Sequence, residues 1–286
     1  MAVSYAYYPG CTLKTSAREF DESTLKVCKA AGIELTELAD WNCCGASSAH
    51  SVSPLLGLSL PARDLQTAEA LGKPVAVACA MCFHRLKHAS HALGDAAKLK
   101  QVNQVLGKEF RNTVKVEHLL TILGSNGSSY QVTKKLEGLK AASYYGCVLV
   151  RPKEVMELDD EDNPQLMDRI VASLGAETVE WDFKTECCGA SLPLSKPEVV
   201  VNLSHKILRQ ARQRGAECVV VACPMCHSNL DIRQKAMKAA YPGFQEMPVY
   251  YFTQLMGLAM GFSAAEMHID KHLTDGLSLL KSKGFI

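Results

Sequence analysis

Twelve cysteines stand in this chain of 286 residues, at positions 11, 28, 43, 44, 79, 82, 147, 187, 188, 218, 223 and 226. Two pairs are vicinal, in "WNCCGASSA" (41–49) and "TECCGASLP" (185–193), and two are spaced Cys-x-x-Cys, in "VAVACAMCFHRL" (75–86) and "VVVACPMCHSNL" (219–230). Thiolates are soft ligands that suit zinc and iron–sulfur clusters. A tetrahedral zinc site takes four ligands, usually as two chelating pairs spaced by two to four residues. The Cys-x-x-Cys pairs fit that spacing, whereas vicinal sulfurs reach one small ion only by straining the backbone and bind two different iron atoms easily. An ordinary cubane needs four cysteines, so a fifth is either a spectator or a ligand of a cluster of unusual shape with a bridging thiolate. Spacing favours iron–sulfur and leaves open a structural zinc and a metal-free dithiol relay.

The cysteines are duplicated. Cys43, Cys44, Cys79 and Cys82 map onto Cys187, Cys188, Cys223 and Cys226 with one common offset of 144 residues, and Val75, Val77, Ala78, Met81 and Leu86 find their counterparts in Val219, Val221, Ala222, Met225 and Leu230. Cys11 in "YYPGCTL" and Cys147 in "SYYGCVL" match at a shorter offset of 136, so the second half carries eight more residues before its vicinal pair. That extra length is expected in "RPKEVMELDDEDNPQ" (151–165), whose prolines and acidic run read as a surface loop. Cys28 and Cys218 have no counterpart and read as buried structural thiols.

Each half alternates strand and helix. In the first, "VSYAYY" is a strand, 15–31 an amphipathic helix ending at Gly32, "IELTEL" a strand, 53–71 a helix, "PVAVAC" a buried strand and 83–93 a helix. Such alternation implies right-handed crossovers and an α/β fold with mainly parallel sheets, here in two tandem related domains. Cys11, Cys43, Cys44, Cys79 and Cys82 then all lie just past the carboxyl ends of strands, where ligands bind in open α/β sheets. The linker-like stretch "GSNGSS" (124–129) sets a boundary near 140, giving domains 1–140 and 141–286. The segments "VEHLLTILG" (116–124) and "VYYFTQLMGLAMG" (249–261) read as equivalent closing helices.

Lys and Arg number 31 against 30 Asp and Glu, so charge gives no reason to invoke nucleic acid or an anionic membrane. No stretch approaches the ~18 uninterrupted apolar residues of a spanning helix, and "MAVSYAYYPGC" lacks a signal core, so a cytoplasmic location is expected. No Gly-x-Gly-x-x-Gly loop or ferredoxin cysteine run is present, and electrons must therefore come from partners.

"YYPGCTLKTSAREFDESTLKVCKAAGIELTELADWNCCGA", "PARDLQTAEA" and "CAMCFHRLK" together resemble the CCG-domain family, in particular the HdrB subunit of heterodisulfide reductase, over essentially the whole chain. The resemblance implies a noncubane [4Fe-4S] cluster in each copy, held by Cys11, Cys43, Cys44, Cys79 and Cys82 in one and by Cys147, Cys187, Cys188, Cys223 and Cys226 in the other. Gly45 and Gly189 would let the backbone pass close to the clusters. It also implies reduction, or in reverse formation, of a disulfide such as that between coenzyme M and coenzyme B. Each cluster would supply one electron, with Cys44 and Cys188 as the thiolates to test first.

The implied partners are an HdrC-like ferredoxin-type subunit and an HdrA-like flavin iron–sulfur subunit. Related CCG chains serve electron transfer between a flavoprotein dehydrogenase of lactate, glycolate or succinate type and quinone or thiol, which is the alternative function; a zinc-bound scaffold is a minor one. His50, His84 and His227, near the motifs, are candidate proton donors or ordinary capping and surface residues.

Overall fold

A computed structural model describes residues 3–125 and 130–286. It contains two four-stranded parallel sheets. The first comprises β1 (Val3–Tyr8), β2 (Ile33–Glu37), β3 (Val75–Val77) and β4 (Val116–His118), in the order β2-β1-β3-β4. The second comprises β5 (Lys140–Tyr144), β6 (Glu177–Thr178), β7 (Cys218–Val221) and β8 (Val249–Tyr251), in the order β6-β5-β7-β8. The two orders are the same, so the duplication read from the cysteines is also a duplication of topology.

Central strands β3 and β7, "VAV" and "CVVV", are buried along their whole length. A parallel strand covered by helices on both faces reads as a continuous apolar run, not as an alternation. Between strands, Arg18–Ala30, Pro54–Leu71 and Ala80–Ala92 are helical in the first half, close to the expected spans. Ser53 accepts from Leu56 N–H at the start of the second of these, with Pro54 in the first turn where its missing donor costs nothing. The loop expected at 151–165 is irregular except for one helical turn, Lys153–Met156.

The closing segments need correction. Val116–His118 and Val249–Tyr251 are strands, paired with β3 through Val75↔Val116 and with β7 through Val219↔Val249; only Leu119–Ser125 and Phe252–Ala259 are helical. A short apolar run has no periodicity to separate a buried strand from a helix, and the β-branched and aromatic residues that start each run favour the sheet. Of the linker-like stretch 124–129, Gly124 and Ser125 close the helix and residues 126–129 lie outside the described residues.

These closing helices cross between the halves. Phe20, on the first-half helix Arg18–Ala30, stacks on Tyr251 with centroids 4.1 Å apart, and Ser23 Oγ lies 2.8 Å from Thr253 Oγ1. Reciprocally, a Cβ added to Gly124 would sit 2.7 Å from Leu166 Cδ1, so the first half's closing helix abuts the second half's helix Leu166–Ser173. Each sheet is thus sealed partly by the other half, and one continuous apolar core runs through both. Among the described residues no helix is long and apolar enough to cross a membrane.

Candidate metal centre

All ten duplicated cysteines emerge at the carboxyl edges of the sheets: Cys11 and Cys147 after the first strand of each half, the vicinal pairs after the second, and the Cys-x-x-Cys pairs after the third. Parallel register forces this, because neighbouring strands end on the same side. In the first half Cys11 Sγ lies 3.8 Å from Cys43 Sγ, and Cys44 Sγ lies 3.4 Å from Cys82 Sγ. In the second, Cys188 Sγ lies 3.7 Å from Cys226 Sγ, and Cys147 adjoins Cys187. Cys79 and Cys223, one from each half, face one another closely enough that each alters the other's ionisation. The two sets of five therefore meet at their Cys-x-x-Cys corners. Among the described residues no three His, Cys, Asp or Glu side chains converge on one point as ligands of a single ion would.

Exposure grades across each set. Cys11, Cys43 and Cys187 are exposed and Cys147 half-buried, while Cys44, Cys79, Cys82, Cys188, Cys223 and Cys226 are buried. Each site has an outer mouth and an inner wall shared with its twin. A surface cleft of about 350 Å³ between His205, Arg212 and Tyr241 lies apart from both.

Ionisation of the thiols is set by neighbouring thiols and backbone amides. Hydrogen bonds from Cys43 and Cys82, helped by the Ala46 N–H and the Arg85 charge against the opposition of burial, bring Cys44 down to about 3. Cys43 is pushed up in consequence. In the second half the hydrogen bond from Cys147 and the N–H groups of Gly189 and Ala190 outweigh burial and bring Cys187 down to about 6. Each vicinal pair thus holds one readily formed thiolate, the form that binds metal. Cys28 and Cys218, far from this edge, are fully buried, and burial lifts Cys28 to about 12; both behave as the inert structural thiols expected.

Two glycines make room for the sulfurs. A Cβ at Gly10 would stand 2.8 Å from Cys82 Sγ, and one at Gly146 would stand 3.0 Å from Cys226 Sγ, both at φ near +70°. The residues immediately before Cys11 and Cys147 must therefore be glycine for both conformation and space. Gly45 and Gly189 also adopt positive φ, +72° and +79°, but the atoms nearest them belong to Ala49 and Leu60, and to Val200 and Leu203. They turn the chain after each vicinal pair and pack on helices.

Sequence reasoning missed a set of anchors behind the thiols. Tyr8 Oη donates to the Asn42 carbonyl at 2.7 Å and Tyr144 Oη to the Glu186 carbonyl at 2.6 Å, the residue before the vicinal pair in each case. The repeated Tyr in "YYPGC" and "SYYGC" was the visible signal. Asn42 is further held by Asp64, which accepts from its backbone N–H at 2.8 Å, and by Arg63, which donates to its Oδ1 at 2.9 Å. Burial raises Asp64 to about 8. Behind Tyr145 a buried Lys184–Asp168 pair at 3.3 Å serves the second half, and the Lys184 carbonyl accepts from Tyr145 and Gly146 N–H.

The histidines divide. His227 is buried, stacked on Tyr251 at 4.3 Å and bonded through Nε2 to the Val249 carbonyl, and burial lowers it to about 4. It is neutral near pH 7 and its N–H is already given to the backbone. His84 is lowered to about 4 by burial and by His88, and His50 is exposed on the turn Ala49–Val52. His118, not singled out from sequence, is fully buried; its Nε2 bonds the Ala78 carbonyl, next to Cys79, and its Nδ1 accepts from Leu120 N–H.

A family model described as a cysteine-rich domain, CCG, matches residues 5–87 and 141–231. The chain is 34% identical over 284 residues to the 8-methylmenaquinol:fumarate reductase membrane anchor subunit of Wolinella succinogenes, covering 98% of this chain and 100% of that one. It is 27% identical over 285 residues to the HdrB subunit of the ferredoxin/F(420)H(2)-dependent CoB-CoM heterodisulfide reductase of Methanosarcina acetivorans, covering 96% and 94%. To the HdrB subunit of the ferredoxin:CoB-CoM heterodisulfide reductase of Methanosarcina mazei it is 28% identical over 283 residues, covering 95% and 94%. A solved structure of a hypothetical protein from Helicobacter pylori shares the fold with a TM-score of 0.78 at 11% identity; it covers 94% of this chain, which spans about half, 51%, of that one.

Proposed function

Because the chain belongs to the CCG cysteine-rich domain family, we propose that it is the HdrB-type iron–sulfur subunit of an oxidoreductase complex. Two CCG domains, 1–140 and 141–286, each hold a [4Fe-4S] cluster of noncubane shape and together reduce or form a disulfide. The observation that carries this reading is the pair of five-thiol sets at the carboxyl edges of twin sheets, meeting at Cys79 and Cys223.

The donor set suits an iron–sulfur group. The vicinal cysteines are fixed from behind by Tyr8 and Tyr144, amides of Gly189 and Ala190 bond the Cys187 sulfur, and Gly10 and Gly146 leave the space a Cβ would fill. Cys11, Cys43, Cys44, Cys79 and Cys82 would hold one cluster and Cys147, Cys187, Cys188, Cys223 and Cys226 the other. When bound, such clusters supply electrons singly and an electrophilic iron at which a developing thiolate is stabilised. The chain's own residues hold the ligands in register and leave the outer sulfurs Cys11, Cys43 and Cys187 open to a substrate or partner. With no nucleotide or flavin loop in the sequence, electrons arrive from an HdrC-like ferredoxin-type subunit, with an HdrA-like flavin subunit beyond it.

A second reading has one specific support, the 34% identity over the full length of a quinol:fumarate reductase subunit. In it the same two sites relay electrons between a flavoprotein and quinone. Anaerobic purification with metal and sulfide analysis is the first test: about eight irons and eight sulfides per chain are expected, four per cluster. Zinc with little iron would refute the iron–sulfur reading. EPR signals that change on adding disulfide or thiol, with activity lost in Cys44→Ala and Cys188→Ala, favour the disulfide reaction; signals indifferent to thiols but responsive to a quinol favour the relay.

A further inference from the structure

Among the positions at which the two sites differ, one follows each Cys-x-x-Cys by a single helical turn. Three residues after the second cysteine of each Cys-x-x-Cys stands Arg85 in the first half and Asn229 in the second, 144 residues apart like the cysteines themselves. Both side chains are buried, at 8% and 1% exposure. Asn229 Nδ2 donates to the Cys188 carbonyl at 3.1 Å and points at Cys188 Sγ at 3.6 Å. Arg85 Nη2 donates to the Gly57 carbonyl at 2.9 Å, its Nε is buried with no partner among the described residues, and it stands three residues past Cys82, on the same face of the helix Ala80–Ala92. Position and burial correspond, while the bonded carbonyl differs, Gly57 for Arg85 and Cys188 for Asn229, and so does the charge.

We infer that this position tunes the electron affinity of each site, and that Arg85 makes the first-half site the one that accepts an electron first. The inference rests on the iron–sulfur reading above and adds an order to it. An electron delivered by a one-electron donor leaves its site one unit more negative. A fixed cation in a poorly solvated surrounding stabilises that extra charge more than a neutral amide does, since interactions there are weakly screened. Other charges near the vicinal pairs are Asp64 and Arg63, both bonded to Asn42 in the first half with Arg63 also paired to Asp40, and in the second half Glu186, next to Cys187, the buried Lys184–Asp168 pair, and Arg151, bonded to Thr185 and paired with Asp162. Glu186 disfavours added negative charge in the second half and so widens the difference.

The test is an EPR-monitored titration with dithionite at pH 7 on the anaerobically purified, iron-loaded protein. Signals are assigned to a half by their loss in Cys11→Ala and in Cys147→Ala. The first-half signal should appear first on reduction. Arg85→Gln should weaken reduction of that half about tenfold, a shift of about 59 mV for one electron, leaving the second half in place. Arg85→Lys, which keeps the charge, should retain most of the wild-type value, and Asn229→Leu should weaken the second half by less. Because Arg85 is buried, Arg85→Lys and Asn229→Leu carry the test if Arg85→Gln does not fold. Iron retained with unmoved potentials, or a second-half signal appearing first, would overturn this inference alone. A chain without iron would overturn the reading of the site and this inference with it.

Discussion

Adding one methyl group at Gly10 separates crowding at the sulfurs from backbone strain. Gly10, Gly146 and Gly32 share nearly the same left-handed φ, 71°, 69° and 72°. Alanine in that conformation costs about 1–2 kcal/mol at each. At Gly32 the new Cβ meets nothing within 4 Å, so Gly32→Ala shows that cost alone. At Gly10 the Cβ would lie 2.8 Å from Cys82 Sγ, on a short buried side chain 3.4 Å from Cys44 Sγ, and relief means moving one sulfur off another. Overpacking of that kind adds about 1–3 kcal/mol. Gly146→Ala, at 3.0 Å from Cys226 Sγ, should fall between. The assay is urea denaturation under reducing, anaerobic conditions with iron per chain measured on the same samples. Gly32→Ala is expected to keep its iron and Gly10→Ala to lose most of that of the first half. If Gly10→Ala were as stable and as iron-loaded as Gly32→Ala, the account of Gly10 as space reserved for a ligating sulfur would be wrong.

Three further outcomes are expected. Tyr8→Phe and Tyr144→Phe each strip the carbonyl before a vicinal pair of its donor and should cost about 1–3 kcal/mol in chemical denaturation, with an altered EPR line shape from the corresponding half. Lys184→Met leaves Asp168 buried without its cation and should cost about 3–5 kcal/mol, much of which the double variant Lys184→Met/Asp168→Asn should restore. His272, lowered to about 3 by burial and by the proximity of His227, accepts from Gln254 at Nε2 and is neutral when folded. Its contribution, at most about 5 kcal/mol, is complete above about pH 6.5 and lost as pH falls toward 3. Denaturation between pH 7 and 4 should therefore show a flatter acid limb in His272→Gln than in the parent.

The alternation of strand and helix patterns, doubled with the cysteines, already contained the twin parallel sheets and the location of Cys11, Cys43, Cys44, Cys79 and Cys82 past strand ends. The reason is local: a buried strand, a sharp turn and a helix start each leave their own residue pattern, and parallel register then fixes on which edge the turns fall. The closing strands β4 and β8 were not legible as strands, because three residues carry no period and only the neighbours β3 and β7 make them pair. Nor could spacing reveal that Cys79 faces Cys223, that Tyr8 and Tyr144 brace the vicinal pairs, or that each closing helix packs on the other half. The sequence alone determined which residues are ligand-like and that they come in two sets. Tertiary structure decided how the sets meet, which sulfurs are open and which charge each one feels, since burial and electrostatic proximity depend on segments that share no neighbourhood along the chain.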